Sequence, residues 1–192
     1  YLGWAAEFEP AIEYARRALE LDPLDYDTHL VRIFSARITR RSYTEAMKLC
    51  EAALELFPGD DGFEEFLLWH RVWSGTDVEE SVDKFLKQWP NTAATGVVCA
   101  KTGRRDEALR IIDRQDDKHR EGIYYAKARI YAALGEVEKT LELLEKTWDE
   151  EPRILLQLNS DPELDFLRGE RGFKDLIERS GIPMGELAYL SE

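Results

Sequence analysis

Residues 124–152 read YYAKARIYAALGEVEKTLELLEKTWDEEP, and this stretch decides the fold. Apolar side chains recur at helical spacing before and after Gly135, a residue suited to a sharp turn. Pro152 stands where a second helix has to end. The pattern predicts helix, turn, helix and stop, with two apolar faces formed by Tyr124, Ala128 and Tyr131 and by Val137, Leu141 and Leu144.

The same unit recurs with variation along the chain. Residues 5–23 match only its second half, and further copies are predicted at 27–58, 63–90 and 92–122. The pattern resembles the tetratricopeptide repeat (TPR), whose roughly 34-residue unit is two packed helices with a W-x2-L-G-x2-Y, A-x3-F and closing Pro pattern. The resemblance implies an all-α fold: a right-handed solenoid of about four and a half helix pairs, each leaning on the next.

The chain after residue 152 departs from this pattern. We expect 1–152 to form the repeat array, with a truncated first repeat, and 153–192 to form capping helices and a tail. Asp161 is a predicted N-cap with Pro162 at the first helical position. The DPELDFLR stretch resembles the tail after TPR arrays in bacterial multidomain cyclases, serine/threonine kinases and winged-helix regulators, although Phe166 replaces a usual Pro. The resemblance implies a larger bacterial parent protein. The chain also opens on Tyr1 without a Met, so we expect its N-terminus upstream.

Composition and charge exclude several function classes. The formal net charge of −13 argues against nucleic-acid binding, which needs clustered cations. Two local basic clusters, at Arg37, Arg40 and Arg41 and at Arg104 and Arg105, are interpreted as helix ends, with an anion site as the alternative. No apolar run has the roughly 20 residues that cross a bilayer, so membrane insertion is not expected.

The two cysteines, Cys50 and Cys99, fall in helices with apolar periodicity. We interpret them as small buried hydrophobic residues in a reducing compartment, with a disulfide or a catalytic thiol as the alternative. A cytoplasmic location follows from this interpretation.

Catalytic and metal motifs are not found in the sequence. His29, His70 and His119 lack zinc-site spacing, and there is no phosphate loop, nucleophile elbow or dinucleotide fingerprint. Adjacent acids such as Asp60 and Asp61 are interpreted as solvated surface. We therefore expect no catalytic, metal-binding or cofactor-binding residues and no cofactor. We expect that the protein is not an enzyme.

The resemblance implies a protein or peptide partner in the concave groove lined by the first helix of each pair. Aromatic side chains and Arg commonly anchor such interfaces. By matching offsets, the candidate residues are Val31, Ser35, Ile38, Phe66, His70, Trp73, Val97, Lys101, Tyr125 and Arg129. The alternative for each is that its side chain faces a neighbouring helix. The Lys and Asn clamp with which one TPR subfamily holds a peptide's C-terminus is absent, because those positions carry Val31, Ser35, Phe66 and His70.

Self-association is the second hypothesis. The truncated first repeat would leave an apolar face at Ala11, Ala15 and Leu19 without its partner helix. A second copy of the chain, or residues upstream, could cover that face, and the copy would form a homodimer through the N-terminal half-repeat.

Overall fold

The computed structural model describes residues 8–39, 42–114, 122–152, 158 and 161–181. Within these ranges all regular secondary structure is helical. The helices are α1 Phe8–Leu21, α2 Tyr26–Thr39, α3 Tyr43–Leu56, α4 Asp61–Ser74, α5 Val78–Gln88, α6 Ala93–Lys101, α7 Arg105–Arg114, α8 Ile123–Ala133, α9 Val137–Glu150, a 3-10 helix Pro162–Leu167, and α10 Arg171–Ser180. The prediction of an all-α chain is confirmed for this part of it.

The stretch 124–152 forms the helix, turn and helix that its sequence predicts. α8 and α9 flank a turn in which Gly135 has a φ of 75°, a left-handed conformation that glycine adopts without strain. α9 ends at Glu150, two residues before Pro152. The N-cap prediction is also confirmed, since the Asp161 carboxylate accepts a hydrogen bond from the Glu163 amide at 3.0 Å and Pro162 begins the 3-10 helix.

The described helices fall into two compact units. Unit 1 lies within Tyr1–Asp77 and contains α1 to α4, and each of these helices packs against the next. The fully buried Ala46 and Ala53 on α3 allow neighbouring helices to approach closely, as their small size predicts. Asp60 begins α4 by accepting a hydrogen bond from the Phe63 amide, and the Tyr26 hydroxyl donates to the same carboxylate, which ties α2 to α4.

Unit 2 lies within Val78–Ile182 and contains α5 to α10. α6 packs against α5, α7 and α8, whereas α8 also packs against α9 and the 3-10 helix. One core joins α8 and α9 to the C-terminal segment, through Leu158, Leu164, Leu167 and Phe173 among others. The predicted boundary between 1–152 and 153–192, and the predicted right-handed solenoid, stay predictions.

The N-terminal helix is expected from the sequence to expose an apolar face that includes Ala15, and the structure differs at this residue. Ala15 is buried, with 6% of its surface exposed, and α1 packs against α2. The Ala11 side chain lies outside the described residues, as do Arg40, Arg41 and His119. The large apolar side chains that are exposed here are instead Tyr14, Leu21 and Leu24.

The helices also bear on membrane insertion. Among the described residues, none combines the length and the apolar content needed to cross a bilayer.

Candidate functional site

Two helices of unit 1 present apolar side chains to solvent on neighbouring faces. On α2, Val31 is 40% exposed, and Phe34, one helical turn further on, is partly exposed. Phe34 meets Phe66 of α4 edge to face, with ring centroids 5.0 Å apart and planes at 80°. This contact joins the outer surfaces of α2 and α4.

The surface continues along α4. Trp73 follows Phe66 by seven residues, so both lie on one side of the helix, and both are partly exposed. Trp73 stacks on the buried Trp69, with ring centroids 4.2 Å apart and planes 11° from parallel. We call the surface formed by Val31, Phe34, Phe66 and Trp73 the aromatic face.

A cation borders the aromatic face. The Arg37 guanidinium carbon lies 5.7 Å from the Phe34 ring centroid, within the range of a cation–π interaction. The residue is partly exposed, but its Nε atom is buried and has no hydrogen-bond partner in the structure. The side chain is therefore held by packing and not by an ion pair with a described carboxylate.

A cysteine of α3 and a histidine of α4 are buried next to each other in unit 1. The Cys50 sulfur is 3.8 Å from His70 Nδ1, and both residues are almost fully buried. Burial raises the pKa of the Cys50 thiol to about 12, and burial together with the Arg37 charge lowers the pKa of His70 to about 3. Both groups are neutral at pH 7, so the pair is not a thiolate and imidazolium poised for nucleophilic attack.

The prediction that both cysteines are buried is confirmed. Cys99 is fully buried in α6, and burial raises the pKa of its thiol to about 11. Both cysteines are free thiols, as expected for small core residues.

Several predicted groove residues are inside the protein. Ser35, His70 and Val97 are 3%, 1% and 0% exposed, which corrects the expectation that their side chains face a groove. Helical spacing alone could not separate the outward side of α2, α4 or α6 from the side that meets a neighbouring helix. The Ile38 side chain lies outside the described residues, and Lys101 is exposed at the end of α6.

In unit 2 the predicted binding residues on α8 contact the chain's own C-terminal segment. Tyr125 is buried, and its hydroxyl donates to Asp161 at 2.8 Å. Arg129 donates to both carboxylate oxygens of Glu163, at 2.8 and 3.0 Å. The expectation that Tyr125 and Arg129 face an open groove is therefore corrected, because residues 161–163 cover them.

The buried charges at this contact shift the pKa values of their partners. Burial, and then the nearby Asp161 carboxylate, raises the pKa of Tyr125 well above its usual value. The Glu163 and Asp161 carboxylates outweigh burial and raise the pKa of Arg129. Tyr125 thus stays protonated and Arg129 stays charged, as a clamp for the 3-10 helix requires.

Sequence reasoning missed Phe34 and Arg37 as members of the surface. The sequence does contain a signal for Phe34, because it follows Val31 by three residues and so lies near it on the helix surface. Arg37 is interpreted from the sequence only as part of a basic helix end. The partners of Tyr125 and Arg129 had no local signal, because they lie more than thirty residues away.

The described residues contain no cluster of three or more His, Cys, Asp or Glu side chains that could hold a metal ion. No protein-family model, curated protein or solved structure matches the chain.

Proposed function

We propose that the chain is a protein-interaction module of the TPR type whose aromatic face holds a peptide or a segment of a partner domain. The supporting observation is that Phe34, Phe66 and Trp73, from two helices, are partly exposed and lie on joined surfaces. Aromatic side chains bury a large area on binding at a small entropic cost, and they are enriched among the residues that carry interface energy.

Helix pairing supports the TPR part of the proposal. In a TPR array the first helices of successive pairs lie side by side and line the concave surface. Contacts of this kind occur inside each unit, between α2 and α4 through Phe34 and Phe66, and between α6 and α8. These contacts support the TPR type of each unit, and the right-handed solenoid is part of the same proposal.

The module also belongs, in this proposal, to a longer cytoplasmic protein of bacterial origin. Support comes from the DPELDFLR segment, which resembles the tail that follows TPR arrays in bacterial signalling proteins, and whose Asp161 and Glu163 hold α8. The coding sequence upstream of Tyr1 tests this part directly. An open reading frame that continues upstream into a signalling domain supports it, and a stop codon followed by a start codon immediately before the Tyr1 codon contradicts it.

Peptide selection tests the binding function. The 192-residue chain would be used to select from a library of random peptides displayed on phage, and the best peptide would be synthesised. We expect Phe66→Ala and Trp73→Ala each to weaken its binding by about 2 kcal/mol, measured by calorimetry. Phe166→Ala, an exposed aromatic residue on unit 2, serves as the control. Equal affinity for all four proteins, or no selected peptide, contradicts the proposal.

Self-association is a second candidate function, favoured by the exposed apolar side chains near α1. Tyr14 is 63% exposed, Leu21 89% and Leu24 59%. Burial of such a patch between two copies would remove it from water. Light scattering across a concentration series should then show a dimer that Leu21→Arg abolishes and Leu56→Arg, on α3, does not. A monomer at all concentrations rejects this candidate.

A further inference from the structure

We propose that the segment held on the aromatic face is apolar and carries an internal Asp or Glu, whose side-chain carboxylate pairs with Arg37. This inference rests on the proposed function, because it names the chemistry of the same partner. It makes Arg37 a specificity residue, whereas the aromatic side chains supply most of the affinity.

The Arg37 charge has no carboxylate partner among the described residues. A guanidinium is always protonated in proteins and presents a fork of N–H donors that matches a carboxylate. Among the described residues no carboxylate forms an ion pair with Arg37, whereas Arg104 pairs with Asp83 and Arg129 pairs with both Asp161 and Glu163. A partly exposed cation beside apolar surface therefore retains the capacity to bind an anion.

The Arg37 side chain is already positioned by packing. The Arg37 Nε atom is buried, and the guanidinium lies over the Phe34 ring, so packing restricts the stem and the plane. Less rotamer freedom is lost when such an arginine binds a carboxylate. The donors that remain for a ligand are those on the partly exposed outer end of the side chain.

The place of Arg37 beside the apolar contacts determines where the carboxylate lies within the partner. Arg37 is close enough to His70 for its charge, after burial, to lower the pKa of that imidazole. The guanidinium lies over the Phe34 ring, and Phe34 meets Phe66 of α4, so the cation lies beside the apolar contacts of both helices. A partner that uses both contacts runs past Arg37, which favours an internal side chain over a chain terminus.

The charge of the whole chain limits how acidic the partner can be. With a formal net charge of −13, the chain repels polyanions at long range. A single carboxylate in an otherwise apolar segment meets Arg37 without that penalty. We therefore expect one acidic residue beside aromatic or aliphatic residues, and not an acidic tract.

The test extends the phage selection to variants of the full chain. Peptides selected by the wild-type chain should share one Asp or Glu next to apolar residues, and Arg37→Gln should lose that preference. For the best peptide, Arg37→Gln and replacement of its acid by the matching amide should each weaken binding about tenfold. Combining the two should add little, which is the signature of a direct pair. Arg37→Lys should recover part of the affinity.

Matched controls separate the possible failures. Arg71→Gln removes a cation from α4 at a position five residues after Phe66, about 140° around the helix, and should leave the affinity unchanged. Amidation of the peptide C-terminus should also have no effect. Circular dichroism and the melting temperature verify that each variant is folded.

Three results overturn the inference. Selected peptides that need Phe66 and Trp73 but neither Arg37 nor an acid leave the proposed function standing and reject the carboxylate. Loss of binding on C-terminal amidation alone assigns the anion to the chain terminus. Selection of no peptide rejects both the inference and the proposed function.

Discussion

At the residue scale, His70 shows how burial controls chemistry in unit 1. Its ring is 1% exposed, and Nε2 has no hydrogen-bond partner, so a protonated ring would carry a buried N–H without an acceptor. Arg37 adds a nearby positive charge that further opposes protonation. His70 therefore belongs to the core, although its place in the repeat pattern predicts a groove residue.

This environment predicts an acid-sensitive unit. The pKa of His70 falls from 6.5 to about 3 on folding, so between these values the unfolded chain binds a proton that the folded chain does not. Acidification then favours unfolding, and the effect fades as the pH rises above 6.5, where the unfolded chain also loses the proton. Between pH 7 and pH 5 the histidine should remove about 2 kcal/mol of unfolding free energy.

Urea unfolding at the two pH values measures this loss, with His70→Phe as the matched variant. The variant lacks the titrating ring, so its stability should fall by about 2 kcal/mol less than that of the wild-type chain. An equal loss in both proteins would show that His70 does not titrate on unfolding.

At the element scale, unit 2 depends on close helix contacts and on one buried ionic contact. α6 approaches α8 so closely that a Cβ atom on Gly96 would lie 2.5 Å from Ile130 Cδ1. α8 in turn holds the 3-10 helix through Tyr125 and Arg129. Glycine at the first contact permits this close approach, whereas the second contact is specific to the C-terminal segment.

Gly96→Val should lower the unfolding free energy by about 2 kcal/mol or more, since the added atoms overlap the fully buried Ile130. Gly169→Val, at a position with no atom near the added Cβ, should change stability little. Thermal unfolding of both variants measures the difference. Similar melting temperatures would contradict the close approach of α6 and α8.

Arg129→Met should cost about 3 to 5 kcal/mol, because it leaves the Glu163 and Asp161 carboxylates buried without their cation. Removing one acid as well, in Arg129→Met with Glu163→Gln, should restore part of that loss. Arg171→Met is the control, since the Arg171 side chain is 96% exposed and its ion pair is long. Chemical unfolding measures both variants. An equal loss of unfolding free energy in Arg171→Met and Arg129→Met would contradict a stabilising role for the Arg129 ion pairs.

At the scale of the whole molecule, the sequence predicts the features that are determined by residues close together along the chain. Helix periodicity, the turn at Gly135 and the N-cap at Asp161 follow from local rules, and each is present in the structure. The exposure of a side chain is harder to predict, because it depends on which helices pack against each other. Val31 is 40% exposed and Phe66 and Trp73 are partly exposed, whereas Val97 and Tyr125 are buried by contacts that no local pattern encodes. That Val31, Phe66 and Trp73 line a binding groove stays a prediction.

The central claim is that a partner segment binds the aromatic face of unit 1. The most direct measurement is an NMR titration of the isotopically labelled chain with the selected peptide, followed through backbone amides and tryptophan indole N–H signals. We expect the largest chemical-shift changes on α2 and α4, around Val31, Phe66 and the Trp73 indole. Largest changes on α8, α9 or the 3-10 helix, with the Trp73 signal unmoved, would contradict it.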